Sequence, residues 1–215
     1  MNYLAHLFLA DDDAESLIGN LAGDFVKGAL GDRFTPGIRK GIQHHRRVDA
    51  FTDSHPSVAA FRRVLIPDHG HYSRVIADMF FDHFLTTNWE RYSPEESLDE
   101  FLGRVFGEIE RYVSPVPRFL GDLRPRNPEE PRNPEELPLP GRLRVVFPLM
   151  RDGRWLQSYA TVDGIDEALT NISKRVSRKP HLETATHHLI DSRAELERHF
   201  HDFFPDVVAL SSGAR

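Results

Sequence analysis

Cysteine is absent from the 215-residue chain. That excludes disulfides, thiolate metal sites and a cysteine nucleophile. Apolar runs long enough to span a bilayer are also missing, and strand-type alternation is scarce. Positive charge is in deficit: 27 Lys and Arg stand against 33 Asp and Glu, a formal net charge of -6. The chain as a whole is therefore not drawn to nucleic acid or to an anionic membrane, although a local basic patch is compatible with that balance. The opening MNYLAHLFLADDD lacks the basic segment of a signal peptide. Its apolar run is short, carries His6 and leads into three aspartates. It reads as a first helix, and the expected location is the cytoplasm.

What is present is material for a helical core with polar chemistry inside it. Hydrophobic residues make up 40% of the chain, including 15 Phe, and charged residues 28%. These levels fit one globular domain over residues 1–215. Twelve histidines are a rich supply, and a metal site is one way to use them. Periodicity predicts helices over about 2–10, 14–29, 36–53, 57–65 and 71–90. Either Ser93 with Pro94 and Glu96, or Ser97 with Glu100, opens a further helix that ends near Val113. More helices follow near 152–160, 163–177 and 182–204, so the expected fold is an all-α, compact multi-helix bundle. Residues 114–148 break the pattern: they hold nine of the 15 prolines and the tandem hexapeptides RNPEEP and RNPEEL at 126–137. This reads as a Pro-rich inserted loop, extended or disordered, with no catalytic part. Within it, LRVVF at 143–147 is a stretch able to pair as a strand.

The stretch HHRRVDAFTD at 44–53 raises the question of where its charges point. The apolar stripe of Ile38 and Ile42 continues through His45, Asp49 and Thr52 or Asp53, with Arg46, Arg47 and Ala50 off it. In the preceding helix the stripe of Leu17 and Leu21 leads to Asp24, one turn after Asn20. In YSRVIADMFFDHFLTTNWERY, Asp78, Asp82, Leu85 and Trp89 share one side, while Val75, Met79, Phe80 and Phe84 cover most of the rest. A helix apolar nearly all round is buried, and it takes Asp82, His83 and Asp78 inside with it. Burying an unpartnered carboxylate is costly, so acids and imidazoles on three helices call for a shared counter-charge. A divalent cation is one choice; Arg46 and Arg47 are the other.

A plainer reading stands beside each assignment. His6 is also suited to be a hydrogen-bonded core histidine, Asp24 half of a buried ion pair with arginine, and His45–Asp49 a simple i, i+4 hydrogen bond. His44, His69, His71, His187, His188, His199 and His201 read as surface residues. A donor set of Asp and His without Cys suits Mn²⁺, Mg²⁺ or Fe²⁺ better than structural Zn²⁺. Such a site acidifies bound water and holds a phosphate oxygen, which makes phosphoester hydrolysis the natural reaction class, with Arg46 or Arg47 clamping the phosphate.

Four stretches, MNYLAHLFLA, GNLAGDFVKG, GIQHHRRVDAFTD and DMFFDHFL, resemble the acyl carrier protein phosphodiesterase family in order and in spacing. They cover about the first ninety residues. RWLQSY at 154–159 and SRKPHL at 177–182 extend the likeness weakly. The resemblance implies an all-helical relative of the HD-type metal phosphohydrolases. It implies hydrolysis of the phosphodiester that joins 4′-phosphopantetheine to a serine of holo acyl carrier protein, with a divalent metal, typically Mn²⁺. It also ties Asp24 most closely to catalysis. The expected site then has Asp24, Arg46 and Arg47 as catalytic residues and Asp24, His45, Asp82 and His83 on the metal, supported by His6, Asp49, Asp53 and Asp78. Arg39, Lys40, Arg62 and Arg63, with Arg47 and Arg74, are expected to face the acidic carrier protein. The dyad here reads Asp82–His83 rather than the His-Asp of HD enzymes, and the duplicated hexapeptide lies in a region that looks longer than the family pattern. Two other readings stay open: a metal phosphohydrolase acting on a nucleotide or another small phosphoester, and a non-catalytic helical binding module.

Overall fold

A computed structural model describes residues 1–113, 139, 142–176 and 180–213. Every regular element among them is a helix or a 3-10 turn, so the fold is all-α, as the periodicity predicts. The helices are α1 (Tyr3–Leu9), α2 (Ala14–Ala22), α3 (Pro36–Ser54), α4 (Pro56–His69), α5 (Ser73–Thr87), α6 (Trp89–Tyr92) and α7 (Leu98–Val113). After the Pro-rich segment come α8 (Leu143–Asp152), α9 (Trp155–Ser158), α10 (Val162–Arg175), α11 (His188–Asp191) and α12 (Arg193–Ser212). The duplicated hexapeptide and most of the expected inserted loop lie outside the described residues. No helix among the described residues is long and apolar enough to cross a membrane.

Local chemistry sets the helix starts. The Asp13 carboxylate accepts from the Ser16 amide to open α2, and Thr35 followed by Pro36 opens α3. Of the two starts expected for α7, the chain uses Ser97. The Glu100 amide donates to the Ser97 hydroxyl, and the Ser97 amide donates back to the Glu100 carboxylate at 2.9 Å. The Ser93 start is not used, because Trp89 Nε1 donates to the Glu96 carbonyl and Arg104 grips the Glu96 side chain, which holds 93–97 outside the helix.

Helices α2 and α3 cross at two glycines. A Cβ on Gly19 would stand 2.5 Å from the Ile38 carbonyl oxygen, and one on Gly41 would stand 2.7 Å from that of Ser16. Only hydrogen fits there, and the two glycines bring the helices that carry the polar residues into backbone contact. Helix α1 packs against α2 and α5, and α4 packs against α5 and α12. The apolar centre is aromatic. Phe61 of α4, Phe80, Phe81 and Phe84 of α5, and Phe200, Phe203 and Phe204 of α12 are all fully buried. Phe61 meets Phe81 edge-on at 4.9 Å and Phe200 stacks with Phe204 at 4.9 Å. Each such side chain contributes roughly 1.5–3 kcal/mol through burial.

Three expectations need correction. LRVVF is not a strand but the first half of α8, where Leu143, Phe147 and Met150 are buried while Val145 and Leu149 are exposed. The burial period is helical and becomes legible only when the window extends to Met150. The second helix does not reach residue 29. It stops at Ala22 and tightens into a 3-10 turn over Gly23–Phe25, after which Gly28 (φ 74°) turns the chain with the left-handed conformation that glycine tolerates. The last predicted helix is three pieces: a 3-10 turn over Leu182–His187, then α11, then α12, with the break at Ser192.

Candidate metal centre

The buried stripe of α3 carries His45 and Asp49 one turn apart, as the heptad positions of Ile38 and Ile42 demand. It ends on buried Thr52, while Asp53 is exposed and pairs with Arg74 at 3.0 Å. His45 Nδ1 donates to the Asn20 carbonyl of α2 at 2.9 Å. That fixes the ring, so its Nε2 faces Asp49 at 3.2 Å and Asp24 at 3.6 Å. His6 comes from α1, with Nε2 3.2 Å from the other Asp49 oxygen. The two imidazoles stack with centroids 3.8 Å apart. Gly23 makes this possible, since a Cβ there would lie 2.2 Å from the His45 ring.

His6 and His45 are buried, whereas the side chains of Asp49 and Asp24 are 37% and 50% exposed. The imidazoles thus form a floor and the carboxylates a rim open to solvent. Asp24 was expected inside a helix. It sits instead on the 3-10 turn at the end of α2, exposed, and still within reach of His45. A further cation meets the rim: the Met1 ammonium lies 3.1 Å from Asp49 Oδ1 and 3.1 Å from Asp78 Oδ1.

Burial lowers the His6 pKa to about 4, so this ring is neutral at physiological pH. Burial acts the same way on His45, but the Asp24 and Asp49 carboxylates prevail and raise it to about 9. Burial pushes Asp49 and Asp24 upward, and the neighbouring His45 and His6 outweigh it, so both stay below the usual carboxylate range. Burial would lower the Met1 ammonium, but Asp78 and Asp49 raise it to about 10. Protons on His45 and Met1 therefore balance the carboxylates. A divalent cation would supply the same positive charge, and the donors fit one. Nitrogen and oxygen atoms of His6, His45 and Asp49 lie within 4.8 Å of one another, and the buried His6 Nδ1 has no hydrogen-bond partner.

The model of the family described as acyl carrier protein phosphodiesterase matches residues 1–130 and 126–207, two segments that meet at the duplicated hexapeptide. The acyl carrier protein phosphodiesterase of Serratia proteamaculans is 33% identical over 97% of this chain and 96% of its own length. That of Yersinia enterocolitica is 31% identical, again over 97% and 96%. The Escherichia coli O157:H7 protein of the same name is 30% identical over 99% of this chain and 98% of its own. The chain belongs to the acyl carrier protein phosphodiesterase family. No solved structure matches it.

As a member of this enzyme family, the chain arranges its polar residues differently from the expected ligand set in one respect. Asp82 and His83 are buried as predicted but turn away to other partners. The two Asp82 oxygens accept from the amides of Leu4 and Ala5, each at 3.0 Å, so this carboxylate caps the start of α1. Burial raises its pKa to about 7 against the pull of those two bonds. His83 Nδ1 donates to the Tyr159 carbonyl at 2.8 Å, and its Nε2 accepts from Arg193 at 3.2 Å. With both nitrogens engaged, neither faces the His6–His45–Asp49 group. Asp78 supports the centre through Met1 rather than through the imidazoles.

The basic residues also fall into place. Arg46 donates to the carbonyls of Val26 and Gly28 and so anchors the turn that follows Asp24. Arg47 is exposed on another face of α3, where it lines a small polar cavity with Lys40, Gln43 and His44. Arg39 pairs with Asp32 and Lys40 with Asp11, each at 3.0 Å; Arg62 is half-buried and Arg63 exposed. Sequence reasoning missed two participants. One is the amino terminus, which no motif announces. The other is Tyr3, one turn before His6, whose phenol is pushed up to about 12 by burial and by Asp24 while Arg175 and Arg142 pull it back.

Proposed function

We propose that the chain is a metal-dependent phosphodiesterase that releases 4′-phosphopantetheine from the serine of holo acyl carrier protein and leaves the apo carrier. The observation that carries this is the convergence of His6, His45, Asp49 and Asp24, from α1, α3 and the turn after α2, at a rim open to solvent. Family membership supplies the substrate class, because the relatives bear the name of that activity. In the reaction, water adds to phosphorus, the bond from phosphorus to the serine oxygen breaks, and that oxygen leaves protonated.

The proposed ligands are Asp24, Asp49, His6 and His45; their mixed nitrogen and oxygen donors suit Mn²⁺, Mg²⁺ or Fe²⁺, and the family resemblance points to Mn²⁺ among them. A divalent ion held there would supply positive charge against the phosphate and acidify water. The Asn20 carbonyl orients His45 for it, and Arg46 keeps the Asp24 turn in place. Arg62 and Arg63 on α4 are the proposed contacts for the acidic carrier. Arg39 and Lys40 contribute less, because Asp32 and Asp11 already neutralise them. The proposal includes one helical domain, kinship with HD-type phosphohydrolases and a cytoplasmic site of action.

Mass spectrometry of holo carrier protein after incubation with the enzyme and Mn²⁺ tests it. The carrier is expected to lose the mass of its prosthetic group and to keep it when chelator is added. A carrier mass unchanged at every metal concentration, with a nucleotide panel cleaved instead, would overturn the substrate assignment.

A further inference from the structure

A second histidine cluster lies outside the proposed centre, built from residues that the sequence pattern suggested were surface. Helix α4 ends in Asp68 and His69, and the 3-10 turn Leu182–His187 packs against it and passes directly into α11 at His188. His188 Nε2 lies 3.2 Å from Asp68 Oδ2, and His187 Nε2 lies 3.7 Å from the same oxygen. The His187 and His188 rings stand 3.9 Å apart, and His69 meets His188 edge-on at 5.6 Å. His69 and His188 are only 9% and 6% exposed; His69 Nε2 has no hydrogen-bond partner, and His188 Nε2 lies near Asp68 without a well-aligned hydrogen bond. His187 donates through Nδ1 to the Thr184 carbonyl, which leaves its Nε2 lone pair turned to Asp68.

An ordinary exposed His–Asp pair would not need these features. Leaving a buried imidazole nitrogen without a well-made hydrogen bond is costly, and a cation would offset that cost. The spacing suits a tetrahedral ion: bonds of about 2.0–2.1 Å set ligand atoms roughly 3.3 Å apart. Two imidazoles and one carboxylate within reach of one ion, with the His69 ring adjoining, select a borderline dication, unlike the more oxygen-rich proposed centre.

We propose that Asp68, His187 and His188, with His69 as the adjoining fourth donor, form a zinc-class metal site that fastens the end of α4 to the 182–191 segment leading into α12. The site is structural. It raises stability and takes no part in hydrolysis.

Chelator-treated full-length protein titrated with ZnCl₂, read by calorimetry and by thermal melting, tests this. The variants are Asp68→Asn and His187→Ala, both at exposed positions. Each is expected to weaken one zinc equivalent by about tenfold or more, to lose the zinc-dependent rise in melting temperature, and to keep the Mn²⁺-supported activity of the parent. His45→Gln, by contrast, should retain this equivalent. Zinc stoichiometry, affinity and melting shift that match the parent in both variants would overturn the site, whatever the catalytic centre does.

Discussion

His45 Nδ1–H is committed to the Asn20 carbonyl, so Nε2 alone can serve the rim carboxylates. Asp24 is exposed on the turn after α2, so Asp24→Ala should abolish phosphopantetheine release while helical circular dichroism persists. Full activity in that variant would remove Asp24 from the site. Asp82 should behave oppositely. It caps α1, and Asp82→Ala should lower stability in urea by about 1–3 kcal/mol through two orphaned amides. Unchanged stability with loss of bound metal would return Asp82 to the ligands. In chelated protein, folding raises His45 from 6.5 to about 9 and Met1 from 8.0 to about 10. The folded state holds both protons more tightly, so this stabilisation is complete below the unfolded values and is lost as pH rises through about 9 and 10. Denaturation midpoints should fall across that alkaline range, and His45→Gln should flatten part of the fall. Added metal displaces the His45 proton, so its affinity should rise with pH until His45 is deprotonated.

At the scale of elements, the centre depends on how closely α2 approaches α3. Gly19 and Gly41 admit no side chain, and Gly23 leaves room only for the His45 ring. Gly23→Ala should therefore displace that ring and cut activity sharply, with a smaller loss of stability of about 1–3 kcal/mol; a variant as active as the parent would show that the ring has another resting place. Much of this architecture was legible beforehand. The stripes of α3 and α5 correctly placed His45, Asp82 and His83 inside, because a 3.6-residue period reports burial directly. What a stripe cannot report is which buried partner a side chain meets. Asp82 met the amides of Leu4 and Ala5, and His83 met Tyr159 and Arg193, residues 76 to 110 positions away in sequence. The short apolar run of α8 misled for a different reason: five residues do not separate period 2 from period 3.6. His69 and His188 looked like surface because nothing local signals that α4 and the 182–187 turn cover one another.

For the molecule as a whole, six excess negative charges face a carrier protein that is also acidic, so encounter must rely on local basic residues such as Arg63 rather than on net charge. Raising salt should increase KM for holo carrier protein while leaving kcat nearly unchanged; a salt-independent KM would place the docking energy in apolar contacts. In the proposed mechanism, residues from α1, α3 and the turn after α2 gather around one catalytic dication. Electron paramagnetic resonance of Mn²⁺ added to chelated protein examines it most directly, with His45→Gln and Asp49→Asn alongside and His187→Ala as the control. One bound Mn²⁺ in the parent and the control, released in the other two together with their activity, is the predicted result. Mn²⁺ held equally by all four proteins, or by none, would contradict it.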